Sequence, residues 1–259
     1  MEQVQHDGRT ITYRHTGRDG EGPTALYIHG SGGDHRLWVN QYAPDGPTHP
    51  AVALDLSGHG DSEDVATEPG PETLTAYARD VVAVARETDA EILVGNSLGG
   101  AVVFEVVLET DYDPRGMVLA GTGAKLAVHE QIRSMLADDF ESFVEFAHAG
   151  SRLLYDPDEQ TRAASKAALE ENGQDVTRRD FLTCHTFDVR DRLGAVEVPA
   201  LAIVGAHDEL TPPSYHEYLA EELPSCERAV IEDAAHLAML EQPEAFNAAV
   251  ESFCRQVPE

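Results

Sequence analysis

The stretch Ile92-Leu93-Val94-Gly95-Asn96-Ser97-Leu98-Gly99-Gly100 constrains this chain more than any other. An apolar run of strand character meets a serine held between glycines at 95 and 99, and a run readable as helix, Ala101 to Leu108, follows at once. A strand that turns sharply into a helix at Ser97 forces that residue into strained backbone angles, and only small neighbours fit around it. The helix behind the serine opens with N–H groups that lack partners inside the helix and so favour a negative charge developing nearby. Alone, a G-x-S-x-G string reads equally well as a glycine-rich loop. The strand before it and the helix after it make Ser97 a candidate nucleophile.

The rest of the chain has the rhythm such a turn requires. Val4 to His15 alternate around Asp7-Gly8, which predicts an amino-terminal hairpin. Apolar runs at 24–28, 51–55, 92–96, 117–120, 199–204 and 228–231 predict strands, and Leu74, Tyr77, Ala78, Val81, Val82 and Ala85 recur at the spacing of a helix. Strands that are continuously apolar and alternate with helices imply a largely parallel sheet covered on both faces. At 259 residues with 42% hydrophobic content, one such α/β domain accounts for the chain. The strand signal stops between Thr122 and Asp191, where Ile132, Met135, Leu136, Phe140, Phe143, Val144 and Ala147 repeat at helical spacing, with further helical stretches near 159–171 and 176–188. The expected organisation is a body, 1–121 and 191–259, with a helical cap, 122–190, over the carboxyl edge of the sheet. The cap aromatics have two readings, packing against the body or lining a substrate pocket.

Charge narrows the setting. The chain carries 47 acidic against 18 basic residues, a formal net charge of −29, and only two lysines, Lys125 and Lys166. The acids are spread along the whole sequence, as on a solvated surface. Self-repulsion of that size calls for screening, and the Debye length falls from about 10 Å at 0.1 M salt to about 3 Å at 1 M, so a cytoplasm rich in molar salt is the natural setting. Nucleic acid is excluded as a partner on the same ground. No basic segment followed by an apolar one stands at the amino terminus, and no apolar run approaches the ~18 residues of a membrane span, which predicts a protein that stays in the cytoplasm and off the membrane. Cys184, Cys226 and Cys254 are widely spaced and odd in number, against a disulfide framework or a zinc site.

A serine hydroxyl needs a base, and the base needs an orienting acid. Loops that follow strands are the place to look. The strand at 199–204 leads into Gly205-Ala206-His207-Asp208, and the strand at 228–231 into Glu232-Asp233-Ala234-Ala235-His236. His207 and Asp233 are the rivals: His207 shares its loop with Asp208, and Asp233 stands awkwardly close to the ring it would have to orient. His29-Gly30-Ser31-Gly32-Gly33, after the first apolar strand, offers small residues whose N–H groups a ligand can approach closely. His59 lies between glycines and reads as part of a packed loop.

In this order the segments resemble the α/β-hydrolase fold family, of the small cap-bearing esterase and lactonase type. Five of them match the family pattern over nearly the whole chain: His29-Gly30 with Trp38 downstream, Asp55-Leu56-Ser57-Gly58-His59-Gly60-Asp61-Ser62, the run around Ser97, Gly205-Ala206-His207-Asp208, and His236 with Glu241-Gln242-Pro243-Glu244. The resemblance implies Ser97 as nucleophile, His236 as general base and then acid, Asp208 as its orienter, and the N–H groups of Ser31 and Leu98 as the oxyanion hole. Ser57 stands where the family often has proline, a departure expected to loosen that loop. Serine at the turn, where related dehalogenases and epoxide hydrolases use aspartate, points to acyl chemistry on an ester, thioester or lactone, with neither cofactor nor metal. A lactonase, a perhydrolase or a carbon–carbon hydrolase or lyase on the same residues, and a non-catalytic small-molecule receptor, are the other readings. Gly30, Met135, Phe143, Cys184, His185 and Phe187 are the expected pocket residues.

Overall fold

The structure, a computed structural model, describes residues 1–16, 20, 22–44 and 46–258. Among these residues eight strands form one sheet: β1 (Glu2–His6), β2 (Arg9–His15), β3 (Ala25–Ile28), β4 (Ala51–Leu54), β5 (Ile92–Asn96), β6 (Gly116–Ala120), β7 (Ala200–Gly205) and β8 (Cys226–Ile231). Their order is β1-β2-β4-β3-β5-β6-β7-β8, with the pairs β1/β2 and β2/β4 antiparallel and all others parallel. The expected hairpin turns at Asp7 (φ 48°) and Gly8 (φ 77°), two successive left-handed residues of the kind that match the twist of paired strands.

Why the inner strands read as unbroken apolar runs is visible in β3. Leu26 and Ile28 face one core, shared with Leu74, Tyr77, Val81 and Phe104, while Ala25 and Tyr27 face a second core built with Trp38, Phe246 and Phe253. Both faces are dry, so both sets of alternating positions must be apolar. Helices α1 (Val39–Tyr42), α2 (Pro71–Glu87) and α3 (Leu98–Glu109) precede β6; α8 (Pro213–Glu222), α9 (Ala238–Glu241) and α10 (Pro243–Cys254) follow β7. No helix among the described residues is long and apolar enough to cross a membrane.

Between β6 and β7 stand four helices, α4 (Glu130–Asp138), α5 (Phe140–Ala147), α6 (Glu159–Asn172) and α7 (Gln174–Thr186). The periodic stretch from Ile132 to Ala147 is broken at Asp139, whose carboxylate caps α5 by accepting from the Ser142 N–H at 3.1 Å. These helices have a small core of their own, Leu136, Phe143, Val144, Ala147 and Leu169.

The loop carrying Ser57 is tied down, contrary to the expectation that serine in place of proline loosens it. The Ser57 N–H donates to Asp80 Oδ2 at 2.9 Å, a bond proline cannot make, and Ser57 Oγ accepts from Arg9 Nε at 2.8 Å. Asp80 is fully buried and takes further bonds from His6 Nε2 and Arg9 Nη2, each at 2.6 Å.

Candidate active site

Parallel strands end on the same edge, so the loops after β3, β5, β7 and β8 converge there. Ser97 is the residue between β5 and α3, with φ 54° and ψ −115°, a conformation L-residues adopt only under compulsion. Packing supplies the compulsion. A Cβ on Gly95 would lie 2.3 Å from the Gly99 carbonyl oxygen, and one on Gly99 would lie 2.4 Å from the Ile28 oxygen, so strand and helix touch through their backbones. The Thr122 hydroxyl donates to the Ser97 carbonyl at 2.8 Å and fixes the turn from β6's side.

His236 and Asp208 meet across 28 residues of chain. The His236 Nδ1–H donates to Asp208 Oδ2 at 2.9 Å, which leaves Nε2 as the basic nitrogen. Asp208 also accepts from the Leu210 and Thr211 N–H groups at 2.8 and 2.9 Å and from the Thr211 hydroxyl at 2.8 Å. Burial works to raise the Asp208 carboxyl, but the neighbouring His236 ring and these donors outweigh it and hold the group below its ordinary value. Ser97 and His236 line one cavity of about 670 Å³. Of the rivals, His207 stacks on Tyr155 at 3.7 Å, and Asp233 is exposed at a left-handed turn position (φ 54°).

Gly30 and Ser31 line the same cavity. A Cβ on Gly30 would lie 3.1 Å from Ser97 Cβ, so the loop presses directly on the serine. The Gly30 carbonyl accepts from His29 Nδ1 at 2.9 Å and from the Gly33 N–H at 3.1 Å, while His29 Nε2 accepts from the Leu56 N–H at 3.1 Å. That fixes one neutral tautomer, and burial together with the nearby His59 lowers the His29 pKa to about 4. In a trans peptide the Ser31 N–H points opposite to the Gly30 carbonyl. Leu98 is the first residue of α3, and neither its N–H nor that of Ser31 donates to another main-chain group among the described residues.

Of the six expected pocket residues, Gly30 and Cys184 line the cavity. Met135, Phe143, His185 and Phe187 do not. Phe143 and Met135 pack in the small core of α4 to α7, Phe187 lies 6.2 Å from Phe104 in the core of the body, and His185 Nδ1 accepts from the Val128 N–H at 3.2 Å. The walls come instead from Leu126, Val128, Ile132, Leu169, Phe181 and Leu240, among others. Burial pushes the Cys184 thiol up to about 12, so it is no rival nucleophile at neutral pH.

Side chains with no role expected from the sequence complete the site. Thr211 holds Asp208, Asn96 Nδ2 donates to the carbonyls of Ala120 and His236 at 3.2 and 3.4 Å, and Glu241 accepts from the Ala235 N–H at 2.7 Å, one residue before the histidine. Among the described residues, Asp34, His35 and Asp55 bring possible ligand atoms within 4.8 Å of one another, yet Asp55 Oδ1 already accepts from the backbone N–H and the ring Nδ1 of His35, and Asp34 is taken up by Arg36.

The chain is 30% identical over 256 residues to Pimeloyl-[acyl-carrier protein] methyl ester esterase of Neisseria meningitidis serogroup C, covering 89% of this chain and 93% of that one. It is 22% identical to 3-oxoadipate enol-lactonase 1 of Acinetobacter baylyi, covering 98% and 96%. A solved thermophilic esterase matches with a TM-score of 0.86 at 29% identity, over 99% of this chain and 97% of that one. Residues 25–249 match the model of the alpha/beta hydrolase family. Since that match runs unbroken from β3 into α10, through the sheet and the helices over it, the chain belongs to the alpha/beta hydrolase family.

Proposed function

We propose that the protein is a serine hydrolase that cleaves an uncharged carboxylic ester or lactone through an acyl-enzyme on Ser97. The observation that carries this reading is the strained serine at the turn facing the same cavity as the His236–Asp208 pair. Ser97 Oγ attacks the carbonyl carbon as His236 Nε2 takes its proton, and the carbonyl electron pair moves to oxygen. The N–H groups of Leu98 and Ser31 hold that oxyanion. Collapse of the tetrahedral intermediate expels the alcohol, which receives the proton from His236. Water, deprotonated by the same nitrogen, then releases the acid and restores the serine. Asp208 holds the ring in its tautomer and balances the charge that develops on it.

The cavity supports the neutral substrate class. The surface its walls expose is mainly apolar, and Arg36, the one Lys or Arg among its described lining residues, is bound by Asp34 at 2.7 and 2.9 Å and by Glu171 at 2.7 Å. A carboxylate on the substrate would find no unpaired cation there. The relatives named as a methyl ester esterase and an enol-lactonase bracket the two leaving-group arrangements that the same attack serves. The net charge of −29 supports a cytoplasm of molar salt as the working environment.

Assay of short-chain aryl esters and lactones in 2 M KCl tests the reading. Ser97→Ala should lose activity about 10⁴-fold or more; full retention overturns it. Circular dichroism across KCl concentrations tests the setting, with a fold equally stable at 20 mM and 2 M counting against it.

A further inference from the structure

Asp180 belongs to α7, yet all three partners of its side chain among the described residues belong to the body. Its Oδ2 accepts from the Gly32 N–H at 2.9 Å and from His59 Nε2 at 2.9 Å, and its Oδ1 accepts from the Tyr77 hydroxyl at 2.8 Å. Asp180 and His59 are both fully buried. A buried carboxylate costs several kcal/mol unless it is paired and fully hydrogen-bonded, and here His59 and the two further donors meet that condition. Burial raises the Asp180 carboxyl, but His59 and the hydrogen bonds override it and hold the group below its ordinary value.

The Gly32 peptide lies inside the turn that carries Ser31. Gly33 N–H to Gly30 carbonyl closes that turn, and Gly32 sits in it at φ +65°. With glycine at the third position, the central peptide can face either way, type I or type II. Asp180 takes the N–H of that peptide. Asn172, the last residue of α6, holds the next peptide of the turn, donating Nδ2 to the Gly32 carbonyl at 3.2 Å. Contact is close enough that a Cβ on Gly32 would lie 2.5 Å from Leu169 and 2.7 Å from Thr177 Oγ1, on α6 and α7. Asp180 reaches the turn a second way: its partner His59 packs at 4.6 Å on His29, which holds the Gly30 carbonyl.

We infer that Asp180, assisted by Asn172, is a positioning residue that sets the oxyanion turn from the helices above the sheet. With α6 and α7 docked, the Ser31 N–H is aimed at the carbonyl oxygen of the substrate. Without the carboxylate the Gly32 N–H loses its acceptor and His59 its partner, so the packing on His29 that holds the Gly30–Ser31 peptide loosens and the donor is misaimed part of the time. The inference rests on the reading that Ser97 performs acyl transfer with Ser31 as an oxyanion donor.

The test is steady-state kinetics of Asp180→Ala, Asp180→Asn and Asn172→Ala in 2 M KCl, with the folded fraction measured by circular dichroism. Removing one oxyanion donor outright lowers kcat about 10²- to 10³-fold, so a loosened donor should cost about ten- to a hundredfold. The expected order is D180A below D180N below wild type, since asparagine keeps an acceptor for Gly32, with KM within about twofold. Inhibition by a trifluoromethyl ketone, which forms a tetrahedral adduct, should weaken in parallel, while a non-hydrolysable amide should bind as before. Where D180A does not fold, D180N and N172A carry the same test. Folded D180N and N172A with wild-type kcat overturn the inference, as does a fall in kcat without weaker ketone inhibition, which is what a purely structural tie would give. S97A separates the two levels: activity retained there sinks the acyl-transfer reading itself, whereas inactive S97A beside fully active D180N sinks only this inference.

Discussion

Ser57→Pro installs the residue that the resemblance leads one to expect, and the structure makes it a damaging change. Ser57 is fully buried, and it serves the buried Asp80–Arg9 pair twice, through its N–H to Asp80 Oδ2 and its Oγ from Arg9 Nε. Proline removes both, leaving one carboxylate oxygen and one guanidinium N–H with no replacement partner. Hydrogen bonds to charged groups contribute about 1.5–3 kcal/mol each, so the loss is about 3–6 kcal/mol. The stiffer unfolded chain offsets about 0.4–1 kcal/mol of it. The net, about 2–5 kcal/mol, is read from urea unfolding in 2 M KCl as a midpoint lowered by about 0.7–1.7 M for an m-value near 3 kcal/mol/M. Ser57→Ala keeps the N–H and loses only the Arg9 bond, so it should fall about midway. Wild-type stability in S57P, or equal damage in S57A and S57P, would refute the reasoning.

Two further outcomes follow from the buried groups around the site. Burial lowers His29 and His216 to about 4 from an ordinary 6.5, so below pH 6.5 the unfolded chain binds protons that the native state refuses. Stability therefore falls as pH drops from about 6.5 to 4, by about 3 kcal/mol per histidine. Urea midpoints at pH 7, 6 and 5 should show this slope, and His216→Gln, which keeps an acceptor for the Thr122 N–H, should reduce it; a slope unchanged in the variant contradicts the assignment. Gly95→Ala drives a Cβ to 2.3 Å from the Gly99 oxygen, where only backbone can yield, so it should lower stability by about 3 kcal/mol or more and abolish ester cleavage. A G95A protein with a wild-type unfolding midpoint is the opposing result.

Much of the sheet is legible in the sequence because burial on both faces writes it as apolar runs: β3, β4, β5 and β7 bury every residue. At the edge the writing fades. β8 buries only Ile231 fully, and the strand begins two residues before its apolar run. Helices α8 and α10 are not among the predicted elements, although Phe246, Val250 and Phe253 of α10 stand at helical spacing and close one face of the sheet. Pocket residues are harder for a definite reason. An apolar side chain on α4 to α7 has three places to go, the small core of those helices, the core of the body, or the cavity, and periodicity does not distinguish them. Phe143 takes the first, Phe187 the second, and Phe181 packs against the first while facing the third. The positioning groups are hidden by distance along the chain: Asp180 reaches Gly32 across 148 residues, and Asn96 reaches the His236 carbonyl across 140.

The central claim is that Ser97 alone carries the acyl group. Treating the enzyme in 2 M KCl with a fluorophosphonate and mapping the adduct by peptide mass spectrometry tests it most directly, because the reagent is trapped at an activated serine. The account predicts one phosphonyl group per chain, located on Ser97, with activity lost in proportion to labelling and no adduct on S97A. Complete labelling of Ser97 with activity intact, or inactivation by an adduct on another residue, would contradict it.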